Sequence, residues 1–195
     1  MSGASLRTLV THGITLKGDE LNDMILNCEK PVENRHFNIA AGWYALHNNA
    51  DPSNLPKAIV GVARFSHSVP VELVPDSLKT KYAEHIHGPV CNVIAEVQRL
   101  KDPIPFVKGN LSTWKLTDED REELQSKLRS DSTTTFTGFD AEFLPPIPAE
   151  LRALKEKKKR ERAASRDGRT EMRKKALSCA MSADLRLDKA ELAAK

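Results

Sequence analysis

Cys28-Glu29-Lys30-Pro31-Val32-Glu33-Asn34-Arg35 stands where a short amphipathic helix hands over to an extended run. Leu21, Met24, Ile25 and Cys28 recur at i, i+3, i+4 and i+7, an apolar stripe on a helix for which Asp19 offers an N-cap. Pro31 ends that helix, and Val32 to Phe37 extends. On a strand, side chains two apart share a face, so Glu33 and Arg35 point the same way. A carboxylate beside a guanidinium suits a polar ligand, the first accepting from an amide edge and the second donating a fork. Both groups are expected to be accessible. The plain alternative is a surface salt bridge, and most exposed ion pairs contribute nothing measurable.

Outward from this stretch the chain reads as short strands with few helices. Thr11 to Leu16 precedes the helix as a strand, and Gly42 to His47 follows as another, bounded by Asn48-Asn49-Ala50-Asp51-Pro52. Ala58 to Phe65 is near-continuously apolar, the pattern of a strand buried on both faces. Pro75-Asp76 opens a short helix or turn. Val90 to Val97 alternates as a strand, and Asp102-Pro103-Ile104-Pro105 is expected to break its ladder. Thr117 to Asp120 caps a helix with Leu124 and Leu128 packed four apart. Residues 131–148 are Ser/Thr- and Pro-rich and read as a linker. The elements predict an α+β fold: a small mixed barrel with short flanking helices.

Charge divides the chain. Residues 149–195 hold 15 Lys/Arg against 8 Asp/Glu, a net of +7, which leaves residues 1–148 with 15 against 19, a net of −4. A basic arm on a mildly acidic body suggests an interaction with polyanions. Ala, Glu, Lys and Arg dominate the arm, with Glu156–Arg160 at favourable i,i+4 spacing, so it is expected to be helical or marginally ordered. Lys157, Lys158, Lys159 and Arg160 are its candidate phosphate contacts. A nuclear-import signal or a solvated helix are the other readings. Three scattered cysteines, Cys28, Cys91 and Cys179, form no disulfide framework, which points to an intracellular protein, cytoplasmic or nuclear. There is no apolar run of membrane-spanning length and no secretory h-region, and with only Arg7 and Lys17 among the first 18 residues no transit peptide is expected. His85, His87 and Cys91 lack a further ligand at metal spacing, so neither a metal nor a cofactor is expected.

Several motifs in order resemble the ASCH domain family of the PUA-like superfamily. Lys30-Pro31-Val32-Glu33-Asn34-Arg35 is similar to the family's G-x-K-x-x-E-x-R signature, with Cys28 where the turn glycine usually stands. Gly42 to His47 is similar to the strand that follows, Ala58 to Ala63 to the Val-Gly core strand, and Val107-Lys108-Gly109 through Trp114 to the late Lys-Gly…Trp segment. The resemblance covers residues 10–130 and leaves 1–9 as an N-terminal extension. It implies a small β-barrel whose Lys/Glu/Arg-lined cleft binds RNA or a modified nucleobase. Lys30, Glu33 and Arg35 would line the cleft. Lys108, His47 and Trp114 are further candidate contacts: His47, at a strand end, is a phosphate donor or, on the plainer reading, a satisfied strand-edge histidine, and Trp114 is a base-stacking surface or a packing residue. Trp43, inside a strand, is expected to be packing. Some small bacterial relatives are amidohydrolases of an acetylated cytidine that use a lysine and a threonine three residues later. Glu33 occupies that second position, which argues against the same chemistry. The enzyme alternative is an amidohydrolase with Glu33 as general base and Lys30 as electrostatic stabiliser. A third reading is an interaction scaffold within a ribonucleoprotein.

Overall fold

The computed structural model describes residues 10–49, 57–130, 135–165 and 172. It divides into a unit ending at Pro145 and a second beginning at Pro146. In the first, strands β1 (His12–Lys17), β2 (Val32–Arg35), β3 (Gly42–Asn49), β4 (Ala58–Pro70), β5 (Val90–Pro105) and β6 (Thr113–Lys115) form one sheet in the order β2-β5-β4-β3-β1-β6. β7 (Thr135–Phe136) adds to β5. β1 pairs with β3 in parallel, and the other pairings are antiparallel. Helices α1 (Asp19–Leu26), α2 (Asp76–Lys81), α3 (Asp118–Ser130) and α4 (Phe139–Glu142) complete the α+β unit.

The middle of the sheet is buried on both faces, as the apolar run of β4 requires. On β3, Tyr44 and Leu46 pack with Ile25 and Leu26 of α1, while Trp43 and Ala45 face Leu124 and Leu128 of α3. Thr117 caps α3: its hydroxyl oxygen accepts from Asp120 N–H at 3.1 Å and its proton goes to the Asp120 carboxylate at 2.7 Å. At α1 the cap differs from expectation. Gly18, at φ 84°, precedes the helix, and the Asp19 carboxylate instead accepts from the Asn48 side chain.

Length and bulges curl the sheet into a half-barrel. β4 and β5 run 13 and 16 residues, and their register shifts at Ile59/Gly61, Arg64/Phe65 and Phe65/His67. Each shift bends and twists the pair. Asp102-Pro103 interrupts the ladder without ending it: β5 resumes, with Ile104 opposite Ile59 and Pro105 opposite Ala58. A proline is tolerated there because it falls where partners are out of register and no ladder N–H is needed.

Part of the stretch read as a linker belongs to the body. Phe139 and Phe143 are buried against Val32, Val69, Val74 and Val93. Thr137 donates to the Ile94 and Ala95 carbonyls at 2.9 Å each. In the second unit, residues 148–165 form a largely exposed helix. Pro148 sits at its first position and Glu150 reaches back to accept from Ile147 N–H at 3.1 Å. Lys157, Lys158, Lys159 and Arg160 lie on this helix, whereas Cys179 is outside the described residues.

Candidate ligand-binding cleft

The site begins with the way α1 ends. Cys28 N–H donates to Ile25 O at 3.0 Å and Glu29 N–H to Met24 O at 2.8 Å, the paired bonds of a Schellman turn. Cys28 occupies its left-handed position at φ 62°. The cysteine therefore adopts the conformation that favours glycine, at the position where the family's turn glycine usually stands. Burial raises its thiol pKa.

The Schellman turn throws Lys30 inward. Its Nζ donates to Val32 O at 2.7 Å and to Glu33 Oε2 at 2.8 Å. Lys30 is only 5% exposed and Glu33 6%, so the carboxylate expected to be accessible is nearly enclosed. Glu33 and Arg35 do share a face: Arg35 Nε lies 3.0 Å from Glu33 Oε1, off hydrogen-bond alignment. The result is one carboxylate between two cations at a cleft edge. Such a pair is costly to break, since removing one partner strands the other charge.

Arg35 also has a fold role that spacing did not reveal. Its Nη2 donates to Thr15 O at 2.6 Å and its Nη1 to Leu111 O at a long 3.5 Å. Arg35 belongs to one end of the strand path and Thr15 and Leu111 to the other, so this guanidinium clasps the curled sheet across its opening.

Two asparagines were missed. Asn34 Nδ2 donates to His85 O at 2.7 Å, and its Oδ1 accepts from the His87 and Gly88 N–H groups at 3.3 Å each. It thus holds the connection between α2 and β5 against β2. Asn92, fully buried on β5, accepts from Ile39 N–H and the Ser68 hydroxyl at 2.7 Å each and donates to Glu33 O at 3.0 Å. The available signal was weak: polar residues at apolar strand positions, whose burial demands complete hydrogen bonding.

Between α1, β2 and the Asn34-held connection lies a cleft of about 800 Å³. Leu21 and Met24 line it from the helix, Lys30, Glu33, Arg35 and His36 from the signature segment, and His85 and His87 from the far wall. Among the described residues, none that lines it is Ser, Thr or Cys. Cys91, behind Asn34, is buried, and burial pushes its pKa up to about 11, making it an inert thiol. Among the described residues no group of three His, Cys, Asp or Glu side chains is placed to hold a metal ion.

His47, Lys108 and Trp114 do not line this cleft. Trp114 Nε1 donates to Thr15 Oγ1 at 3.2 Å, which lies 3.2 Å from His47 Nδ1, and His47 Nε2 donates to Val107 O at 2.9 Å. The two rings meet edge-to-face at 5.7 Å. His47 is therefore a satisfied core histidine, its pKa lowered first by burial, and Trp114 packs on the α3 side. A Cβ at Gly109 would strike the His47 ring and the Thr15 hydroxyl, and one at Gly13 would come within 2.6 Å of the Trp114 ring. Those close approaches explain the Lys-Gly…Trp pattern as packing. Lys108 is exposed on the loop beside it.

No protein-family model and no curated protein matches the chain. Among solved structures the chain is similar to ASCH from Zymomonas mobilis, at 16% identity and a TM-score of 0.45, over 59% of this chain and 93% of that one. A mutant ASCH protein from the same organism matches at 17% identity and a TM-score of 0.44, over 59% and 94% of the two chains. No described helix is long and apolar enough to cross a membrane.

Proposed function

We propose that this chain is a nucleic-acid-binding module that takes RNA or a modified nucleotide in the cleft between α1 and β2. The arm helix would add sequence-independent phosphate contacts through Lys157, Lys158, Lys159 and Arg160. The observation that carries this reading is the Lys30–Glu33 pair lining a cleft of about 800 Å³, within the size range of small-ligand sites. The ammonium has three donors and spends two on Val32 O and Glu33. The carboxylate accepts from more than one direction. A donor and an acceptor 2.8 Å apart complement the adjacent acceptor and donor on the edge of a nucleobase. Leu21 and Met24 offer an apolar wall to its flat face. Among the described residues the lining carries no Ser, Thr or Cys, which favours binding over a covalent acyl transfer.

The test is a titration of labelled RNA and of plain and modified mononucleotides against the parent, Arg35→Ala and Glu33→Gln proteins, with melting followed alongside. Weaker binding by variants that still melt cooperatively supports the reading. Parental binding by both variants refutes it. Incubation with acetylated nucleosides, followed by mass, covers the hydrolase reading: turnover abolished by Glu33→Gln would replace binding with catalysis.

A further inference from the structure

The loop over residues 106–112 spends conformational energy that packing does not return. Phe106 has φ 63°, a region that L side chains rarely adopt, and is 85% exposed. Leu111 is 84% exposed. The loop is nonetheless pinned at several points. Pro105 pairs with Ala58, the buried Val107 offers its carbonyl to His47, and Gly109 presses on the His47 ring. At its far end the Leu111 carbonyl takes Arg35 Nη1, the guanidinium that lines the cleft. Between Asp102 and Asp118 the ionisable side chains are Lys108 and Lys115 alone, an acid-free stretch in a body of net −4.

We infer that this loop is a second subsite for single-stranded RNA, in which a base flanking the cleft-bound nucleotide stacks on Phe106 and an adjoining phosphate meets Lys108. The inference rests on the cleft reading proposed above. An exposed aromatic ring beside a lysine is the combination that stacks a base and tracks its backbone. A pinned loop loses little entropy when it binds. A protein partner fits less well, because Lys108, Asn110 and Ser112 interrupt the apolar surface that Phe106 and Leu111 would have to supply. The stacking role that the sequence offered to Trp114 thus falls to Phe106, since the indole is spent on Thr15 and His47.

The experiment uses the full chain and a labelled single-stranded RNA of about a dozen nucleotides, with a duplex of the same length and free mononucleotides as further probes. Phe106→Ala is expected to weaken single-strand binding about tenfold, and Phe106→Trp to preserve it. Lys108→Gln should weaken it less and lower the salt slope by about one. Mononucleotide binding and duplex binding should be unchanged by the Phe106 variants. Parental single-strand affinity in Phe106→Ala, or an equal loss in Phe106→Trp, overturns the inference. So does a change of oligomeric state in Phe106→Ala at parental RNA affinity, which would make the loop a self-association surface. If mononucleotides fail to bind while Phe106→Ala still weakens the single strand tenfold, the loop subsite stands and the cleft reading falls.

Discussion

Replacing Glu33 by glutamine removes one charge while keeping shape and one acceptor. In the folded protein Lys30 is 5% exposed, and its ammonium is compensated by Glu33 Oε2 at 2.8 Å. A hydrogen bond to a charged group contributes about 1.5–3 kcal/mol, and an unpaired buried charge costs about 3–5 kcal/mol. Glutamine retains a neutral acceptor, so Glu33→Gln should lose about 2 kcal/mol, near the lower end of that span. For a body of this size that lowers Tm by roughly 5–8 °C. Lys30→Met should cost about the same, because it leaves Glu33 with only the misaligned Arg35 Nε. The double variant should cost clearly less than the sum, with a coupling of about 1–2 kcal/mol. Urea unfolding of the four proteins gives the cycle. Single variants within about 0.5 kcal/mol of the parent, with no coupling, would mean that the pair is solvated in solution and the enclosed site is wrong.

The Schellman cysteine makes Cys28→Gly a stabilising change of about 0.5 kcal/mol, strain relief exceeding the extra unfolded-state entropy; a lower urea midpoint would contradict the left-handed assignment. Gly109→Ala should cost about 2 kcal/mol, since its Cβ has no space over His47, and thermal melting reads this directly. Burial depresses the His47 pKa below its ordinary 6.5, so its contribution to stability is fully present above that value and lost as pH falls towards the depressed one. Urea midpoints should therefore fall on acidification from neutral pH, and the slope should be shallower in His47→Asn; an unchanged slope would show that His47 is not the group titrating. Deleting residues 149–195 removes 15 basic side chains, so non-specific RNA affinity should drop and its salt dependence flatten while the body's melting holds. Identical salt slopes for both proteins would remove the arm from the interface.

The parts of the fold legible in the sequence are those written in local patterns. The stripe Leu21, Met24, Ile25 and Cys28, the apolar run from Ala58 and the Thr117 cap each announce one element, because period and capping chemistry act over a few residues. The shared face of Glu33 and Arg35 follows from strand geometry alone. Burial does not. Whether Glu33 faces water depends on α1 and on the connection held by Asn34, neither of which its neighbours in sequence specify. Pro103 read as a terminator because the out-of-register stretch that accommodates it is a property of two strands. Phe139 and Phe143 were hidden within a Ser/Thr- and Pro-rich composition, although two phenylalanines four apart were a signal of docking. A hydrogen-bonded chain through Thr15 ties up both His47 and Trp114, a long-range arrangement that no local pattern around either residue encodes.

Photocrosslinking tests the central claim most directly. RNA carrying thiouridine would be irradiated with the full chain, and the linked peptides identified by mass spectrometry. Binding in the cleft predicts crosslinks within residues 20–36 and 84–89, the segments that line it, in addition to the arm. Crosslinks should persist in the cleft segments at salt concentrations that remove those on residues 149–165, because base recognition is less salt-dependent than phosphate contact. Crosslinks confined to the arm at every salt concentration would contradict the cleft and leave a basic tail as the whole of the nucleic-acid interaction.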